Sequence, residues 1–370
     1  MRTIKQLYYL LLLTALILVS SCKDDEMTPW DTMIAFEIED VPVTEDYLVG
    51  AVYYNVNDWS AFNYEEPQMG TYGAGQPVSD TAAMQQHVEW GAEYGLDFFL
   101  FDFSPGYNED IEVVHTDSGT YADIFTGLPN AGSMNFALKF HLGYMGLNVN
   151  NRMYVNDSIF DMFVEGFKFM IPYFENENYQ MVDGRYLVYL SGAADLYSDS
   201  TLGNSPVYDE LRAQLLDEGI EVYIVGEQGR WTPPARYELR MRDCVDAVTH
   251  REMILTTEYE GSIYFHQWVY LNWEYSSEYF AGWGTEFVPQ ISPAFTDRVE
   301  NPSSGAYEFD GGDEDFFRDF CDVAKANCHN SGRLIIIDSF NNWVKNTQIE
   351  PSVGFGTMCL EVVNNEFKVN

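Results

Sequence analysis

Ser339-Phe340-Asn341-Asn342-Trp343-Val344-Lys345-Asn346-Thr347-Gln348-Ile349-Glu350-Pro351 follows directly on Arg333-Leu334-Ile335-Ile336-Ile337-Asp338. The earlier stretch is an apolar, β-branched run of the kind that forms a buried strand. The later one is a loop of amide, indole and charged groups. A buried strand that spills into such a loop is where an α/β barrel places its chemistry. Seven similar runs precede it, at 48–54, 96–103, 136–142, 186–190, 221–225, 245–249 and 287–291.

Between these runs the apolar period changes to that of helices. Residues 79–94 read as a helix stopped by Gly95, with Met84, Val88 and Gly91 on one face. Residues 158–171 repeat Ile159, Phe163, Phe167 and Ile171 at helical spacing before Pro172. Further helices fit 206–218, closed by Gly219, and 314–327. Continuous apolar strands separated by helices imply a parallel sheet covered on both faces. Eight such units predict an α/β fold, a (β/α)8 TIM-type barrel spanning 47–370. An open doubly wound sheet is the alternative, but no Gly-x-Gly-x-x-Gly follows the first strand. The end of the chain, with 359–363 and 367–369 flanking Asn364-Asn365, reads as a C-terminal hairpin.

In a barrel the working residues lie just past the C-terminal ends of the strands. Those positions hold Tyr53, Tyr54, Asp58 and Trp59 after the first strand, Asp102 after the second, and His141 and Tyr144 after the third. Tyr189 and Ser191 end the fourth, Glu227 and Gln228 the fifth, His250, Arg251 and Glu252 follow the sixth, and Ser292 the seventh. Planar amides and carboxylates bond paired hydroxyls, and aromatic faces pack on sugar C–H groups, so this mixture suits polyol recognition. Aromatic residues make up 16% of the chain, and 264–283 is densest in them. That segment is either a sugar platform or a covering helix packed on the sheet. Glycoside hydrolysis needs two carboxyl groups, about 5 Å apart for direct displacement and farther apart when a water must fit. The best-placed pair is Asp102 and Glu227, with Glu252 in reserve; no acid adjoins the ends of the fourth or seventh strands.

The stretch 339–351 resembles the last-strand signature of glycoside hydrolase family 99 and the related family 71 and WbsX-like proteins, Ser-Phe-Asn-Glu-Trp-x-Glu-Gly-Thr-Gln-Ile-Glu-Pro. Phe340, Asn341, Trp343, Thr347, Gln348, Ile349, Glu350 and Pro351 match; the first two glutamates of the pattern fall on Asn342 and Lys345. Segments 49–54 and 87–99 extend the resemblance loosely over the barrel. In that family both key glutamates come from this loop, one serving the sugar 2-hydroxyl and one acting as acid/base. Asn342 can bond a hydroxyl but cannot take its proton, and an ammonium with an ordinary pKa of about 10.4 is a poor acid at neutral pH. Glu350 remains as a third catalytic candidate or as a residue that holds the loop. The resemblance implies a carbohydrate-active protein acting on an α-linked glycan such as mannan, with catalytic residues degenerate or relocated. The substrate-binding set expected on this basis is Tyr54, Trp59, His141, Tyr189, His250, Asn342, Trp343 and Lys345. A non-catalytic glycan-binding protein of a polysaccharide uptake system is the alternative.

The chain opens with Arg2 and Lys5, an apolar run over 7–19 and Val19-Ser20-Ser21-Cys22. This reads as a secretory signal over 1–21. Its end resembles a bacterial lipobox with Cys22 as the lipidated residue. Lys23-Asp24-Asp25-Glu26 resembles the tag of Bacteroidetes surface lipoproteins, and 22–46 reads as an acidic tether. The expected location is therefore the outer membrane, facing outward, with lipid on Cys22 as the membrane contact. A formal charge of −39 excludes nucleic acid as a partner, because each phosphate contact needs a cation. Cys244, Cys321, Cys328 and Cys359 lack zinc spacing and read as core residues, with a disulfide to Cys359 or Cys244 as the alternative; no metal and no cofactor is expected.

Overall fold

The structure, a computed structural model, describes residues 37–55, 59, 65–103, 106–107, 113–114, 120–142, 154–155, 157–198, 203–228, 238–251, 264–299, 301–303 and 308–369. The barrel strands are β1 (Leu48–Tyr53), β2 (Phe98–Phe103), β3 (Asn135–His141), β4 (Arg185–Ser191), β5 (Val222–Gln228), β6 (Ala247–His250), β7 in two halves (Glu286–Phe287 and Gln290–Ile291) and β8 (Leu334–Ile337). Every neighbouring pair around the barrel is parallel and sequential. Glu286–Phe287 pairs with β6, and Gln290–Ile291 pairs with β8. The two ends of the strand order therefore meet in one short stretch, and the sheet closes on itself. Pro289 marks the break: it has no N–H to give, but its carbonyl accepts the Ile336 N–H at 3.0 Å. Sequential order with closure rules out the doubly wound alternative.

Among the described residues each strand is followed by a helix: α1 (Asp80–Glu93), α2 (Thr120–Thr126), α3 (Ser158–Lys168), α4 (Ser205–Asp217), α5 (Glu238–Met241), α6 (Phe265–Ala281), α7 (Glu314–Ala326) and α8 (Met358–Phe367). Their starts follow from capping chemistry. Ser79, Asp157 and Asp313 each accept a backbone N–H from the first turn of α1, α3 and α7. Gly95 and Gly219, at φ of +78°, turn the chain out of α1 and α4 in the left-handed conformation that glycine tolerates. Pro172 does not stop α3; it sits in the first turn of a separate short helix, Ile171–Phe174.

The C-terminal hairpin expected from the sequence is a helix instead. In α8, Cys359, Leu360, Val362, Val363 and Phe367 are buried, a helical rather than alternating pattern. β-Branched Val362-Val363 and the turn-like Asn364-Asn365 carried the strand reading, and packing against the barrel overrides that local preference. The Phe367 carbonyl accepts the Tyr47 N–H at 3.0 Å, and Lys368 Nζ lies 2.7 Å from Asp97 Oδ2, so α8 seals the N-terminal end of β1.

The compact unit begins at Ile38, within the segment read as a tether. Val41 N–H donates to Asp322, and the Arg333 guanidinium bonds the carbonyls of Glu45 and Asp46. The signal segment, Cys22 and the tether up to residue 36 lie outside the described residues. Between sheet and helices the core is rich in phenylalanine, with Phe101 against Phe125 and Phe140 against Phe167. Gly50 makes room inside the barrel, since a Cβ there would lie 2.1 Å from the Phe98 ring. Much of the aromatic segment 264–283 is likewise core: Phe265, Trp273 and Phe280 are buried, while Tyr275 stays 52% exposed. Cys244, Cys321, Cys328 and Cys359 are buried free thiols.

Candidate functional site

At the C-terminal ends of the strands a connected polar network forms the barrel mouth. Asp102 on β2 lies beside Lys139 and His141 on β3: Asp102 Oδ1 is 2.8 Å from His141 Nε2 and 3.5 Å from Lys139 Nζ. Lys139 also lies over the Tyr54 ring (5.2 Å) and the Tyr189 ring (5.8 Å). On β4, Ser191 Oγ donates to Glu227 Oε2 at 2.8 Å, and Tyr189 Oη lies 3.3 Å from the same oxygen. Arg251, just past β6, reaches Glu227 Oε1 at 3.4 Å. Tyr189 Oη is 2.9 Å from Gln290 Oε1, whose amide nitrogen donates to Asp338 Oδ2 at 3.1 Å. Tyr54 Oη lies 3.4 Å from that same Asp338 oxygen.

The fold thus brings together Asp102, Glu227, Tyr54, His141 and Tyr189 from the residues singled out in the sequence. It adds Lys139, Gln290 and Asp338, which sequence reading passed over. Lys139 sits inside the apolar run of β3, and Asp338 directly follows the β-branched run of β8. Strand alternation is the signal that finds them: Lys139 precedes His141 by two, and Asp338 follows Ile336 by two, so each shares its neighbour's face.

The motif loop divides between two places. Asn342 and Lys345 are half-buried on the turn after β8, where the Asn342 amide oxygen accepts the Lys345 N–H at 3.2 Å. Glu350 turns away toward α1. Its carboxylate meets His87 Nε2 at 3.1 Å, the Tyr72 hydroxyl at 2.8 Å and the Trp343 indole N–H at 2.7 Å. Trp343 is 1% exposed and shares a small satellite core with Tyr72, Ala83 and Trp59. Trp59 gives its indole N–H to the Tyr72 carbonyl. His250 is fully buried against Phe287, and neither ring nitrogen has a hydrogen-bond partner. Glu350 and His250 therefore lie on the helix side of the sheet, and Trp343 and Trp59 in the satellite core beside the start of α1. Asp58, Tyr144 and Glu252 lie outside the described residues.

Electrostatics set what the mouth can do. Burial alone would push the Asp102 carboxyl up. The Lys139 charge and the His141 hydrogen bond outweigh it and hold the group down at about 2. Asp102 is thus a permanent acceptor at neutral pH, not an acid. Burial disfavours the Lys139 ammonium, but Asp102, Asp338 and Glu227 together more than restore it, against an opposing Arg251. The Tyr189 phenol, pushed far up by burial and by Glu227 and Asp338, stays a donor. The result is a floor of fixed acceptors and donors. No grouping of His, Cys, Asp and Glu able to hold a metal ion occurs among the described residues, and no helix among them is long and apolar enough to cross a membrane.

Neither a family model nor a curated protein matches the chain. Among solved structures, a glycoside hydrolase-like protein is 30% identical with a TM-score of 0.78, over 92% of this chain and 99% of that one. Two structures of the GH99 endo-alpha-mannosidase from Bacteroides thetaiotaomicron superpose with TM-scores of 0.62 and 0.61 at 14% identity, over 87% of this chain and 97% of theirs. A family 1 β-glucosidase from Thermotoga maritima reaches a TM-score of 0.50 at 10% identity. At those lower identities the likeness is one of fold, a GH99-like barrel. The near-complete match at 30% identity carries more, and by it this chain belongs to the glycoside hydrolase-like proteins.

Proposed function

We propose that this protein recognises an α-linked glycan, such as an α-mannan, at the mouth of its barrel and does not hydrolyse it. The observation that carries the reading is Asp102 held as a carboxylate by Lys139 and His141, while Asn342 and Lys345 stand where the family motif has its first two glutamates. Hydrolysis needs a group that can give up a proton at working pH. The mouth offers carboxylate acceptors (Asp102, Glu227, Asp338), hydroxyl groups (Ser191, Tyr189) and the ring of Tyr54, a set suited to hydroxyls and sugar faces.

The lipobox-like Ser20-Ser21-Cys22 and the acidic residues after it support a surface lipoprotein of the outer membrane, with a glycan as partner and lipid on Cys22 as the membrane contact. A capture protein of a polysaccharide uptake system fits both features. A glycan panel read for binding and for cleavage tests the reading. The expected result is micromolar binding of an α-mannan oligosaccharide with no reducing ends released.

A second reading, a glycosidase with relocated carboxylates, is favoured by Asp102, Glu227 and Asp338 all acting electrostatically on one lysine. Turnover that disappears in Glu227→Gln or Asp102→Asn would establish it in place of the first.

A further inference from the structure

We infer that Lys139 is the positioning residue of the barrel mouth: its enclosed ammonium holds the Asp102 carboxylate in place as an acceptor for hydroxyls of a neutral sugar. The inference rests on the glycan reading above and names both the charge class of the ligand and a residue outside the motif.

Lys139 is 6% exposed on an inner strand position. An ammonium taken out of water is tolerated only with partners around it. Here they come from every side: Asp102 on β2, Tyr54 after β1, Tyr189 on β4, Glu227 on β5 and Asp338 after β8, with His141 beside it on β3 and Arg251 facing from β6. Both contacts recorded for Asp102, from Lys139 and His141, fall on Oδ1. A quarter of the Asp102 side chain is exposed, so Oδ2 remains for a ligand.

The charge class follows from the same set. Three carboxylates face two cations, Lys139 and Arg251, and both cations already contact carboxylates. A uronate, sulfate or phosphate entering beside Lys139 would meet Asp102, Glu227 and Asp338 with both of those cations already engaged; Lys345, on the turn after β8, stands outside that set. Neutral hydroxyls accept no such penalty and can donate to Asp102.

Four forms of the full chain test this: wild type, Lys139→Met, Asp102→Asn and the double variant. The Asp102 carboxyl is followed by carbon NMR without ligand, and affinity for a neutral α-mannan oligosaccharide and a uronate-containing one is measured against pH. In wild type the Asp102 signal should stay that of a carboxylate down to about pH 3, and affinity for the neutral oligosaccharide should fall less than in Lys139→Met between pH 7 and about pH 4. In Lys139→Met the carboxyl should titrate between about pH 4 and 6, and affinity should fall roughly tenfold or more through that window. The uronate-containing oligosaccharide should bind wild type more weakly than the neutral one.

An Asp102 titration in Lys139→Met like that of wild type overturns the inference. So does a loss of affinity that is the same at every pH, which a merely structural lysine would give. Should Lys139→Met not fold, the double variant removes both charges together; weak, pH-independent binding supports the inference, and wild-type affinity overturns it. Tighter binding of the uronate overturns the charge class. An Asp102 titration shift with no glycan bound by any form rejects the glycan reading itself, and the two failures are told apart in this way.

Discussion

His87 Nε2 lies 3.1 Å from Glu350 Oε1, and both side chains are fully buried. The pair is the middle of a longer chain. The Tyr53 hydroxyl meets His87 Nδ1 at 2.9 Å, and Tyr72 and Trp343 meet the other Glu350 oxygen. Through it β1, α1 and the loop after β8 are joined, and that loop begins at Asp338 in the mouth. Asn341 adds a second tie, since its side chain accepts the Tyr54 N–H at 2.7 Å and donates to the Tyr54 carbonyl at 3.0 Å. A buried carboxylate so surrounded holds the loop in place.

Removing that carboxylate leaves three buried partners without an acceptor. Glu350→Ala should lose about 3–5 kcal/mol of stability, and Glu350→Gln, which keeps shape and one acceptor, less. Guanidinium chloride unfolding measures both. A loss under about 1 kcal/mol for the alanine variant would show that the network does not form in solution.

Glu227 accepts from Ser191, Tyr189 and Arg251 at the floor of the mouth. Glu227→Gln should weaken glycan binding roughly tenfold or more, because hydrogen bonds to a charged acceptor exceed those to a neutral one. Calorimetric titration checks this. Unchanged affinity would remove Glu227 from the site.

On the proposed reading, placing glutamates at the two motif positions tests whether Asn342 and Lys345 account for binding without hydrolysis. Asn342→Glu with Lys345→Glu should convert a protein that binds α-mannan oligosaccharide into one that releases reducing ends from it. If the double variant binds and still does not cleave, the mouth differs from a hydrolase in more than those two positions.

Burial holds the His250 imidazole down at about 3, against an ordinary value near 6.5. The folded state therefore keeps His250 neutral while the unfolded chain takes up a proton below about pH 6.5, so stability falls as pH drops from there toward 3. At pH 5 this amounts to about 2 kcal/mol. His250→Phe, which keeps an aromatic ring beside Phe287 and leaves no hydrogen bond broken, should abolish that loss. Unfolding at pH 7.5 and pH 5 measures the difference; His266, held at about 4 by burial, accounts for acid sensitivity that remains. Glycan affinity at pH 7.5 should not change.

The four cysteines of the barrel are buried, and burial pushes the thiols of Cys328 and Cys359 up to about 12 and raises those of Cys244 and Cys321. Since the thiolate is the nucleophile, none of them should react with iodoacetamide at pH 8 in the native protein, and all should react once it is unfolded. Mass spectrometry of the alkylated chain reads this directly.

The barrel itself was legible in the chain, because a strand buried on both faces writes a continuous apolar run that no solvent-exposed face interrupts. All eight runs became strands, and Ser79, Gly95 and Gly219 sit at helix ends for reasons a single residue's chemistry supplies. Val362-Val363-Asn364-Asn365 misled for the converse reason: local preference favoured a hairpin, and only the open flank beside β1 and α7 makes a helix the better cover.

The site was legible in part. Strand ends bring Asp102, His141, Tyr189 and Glu227 to one place, since a barrel collects its C-terminal ends at one mouth. Motif spacing alone could not separate Asn342 and Lys345, on the turn after β8, from Glu350 and Trp343, which pack beside α1. Nor could it show that Lys139, one cation within an apolar strand, would face three carboxylates from other strands. Along the chain, residue type and period determine which segments become strands and helices. Which side chains share charge and burial is decided by closure of the barrel, because those neighbours come from strands far apart in sequence.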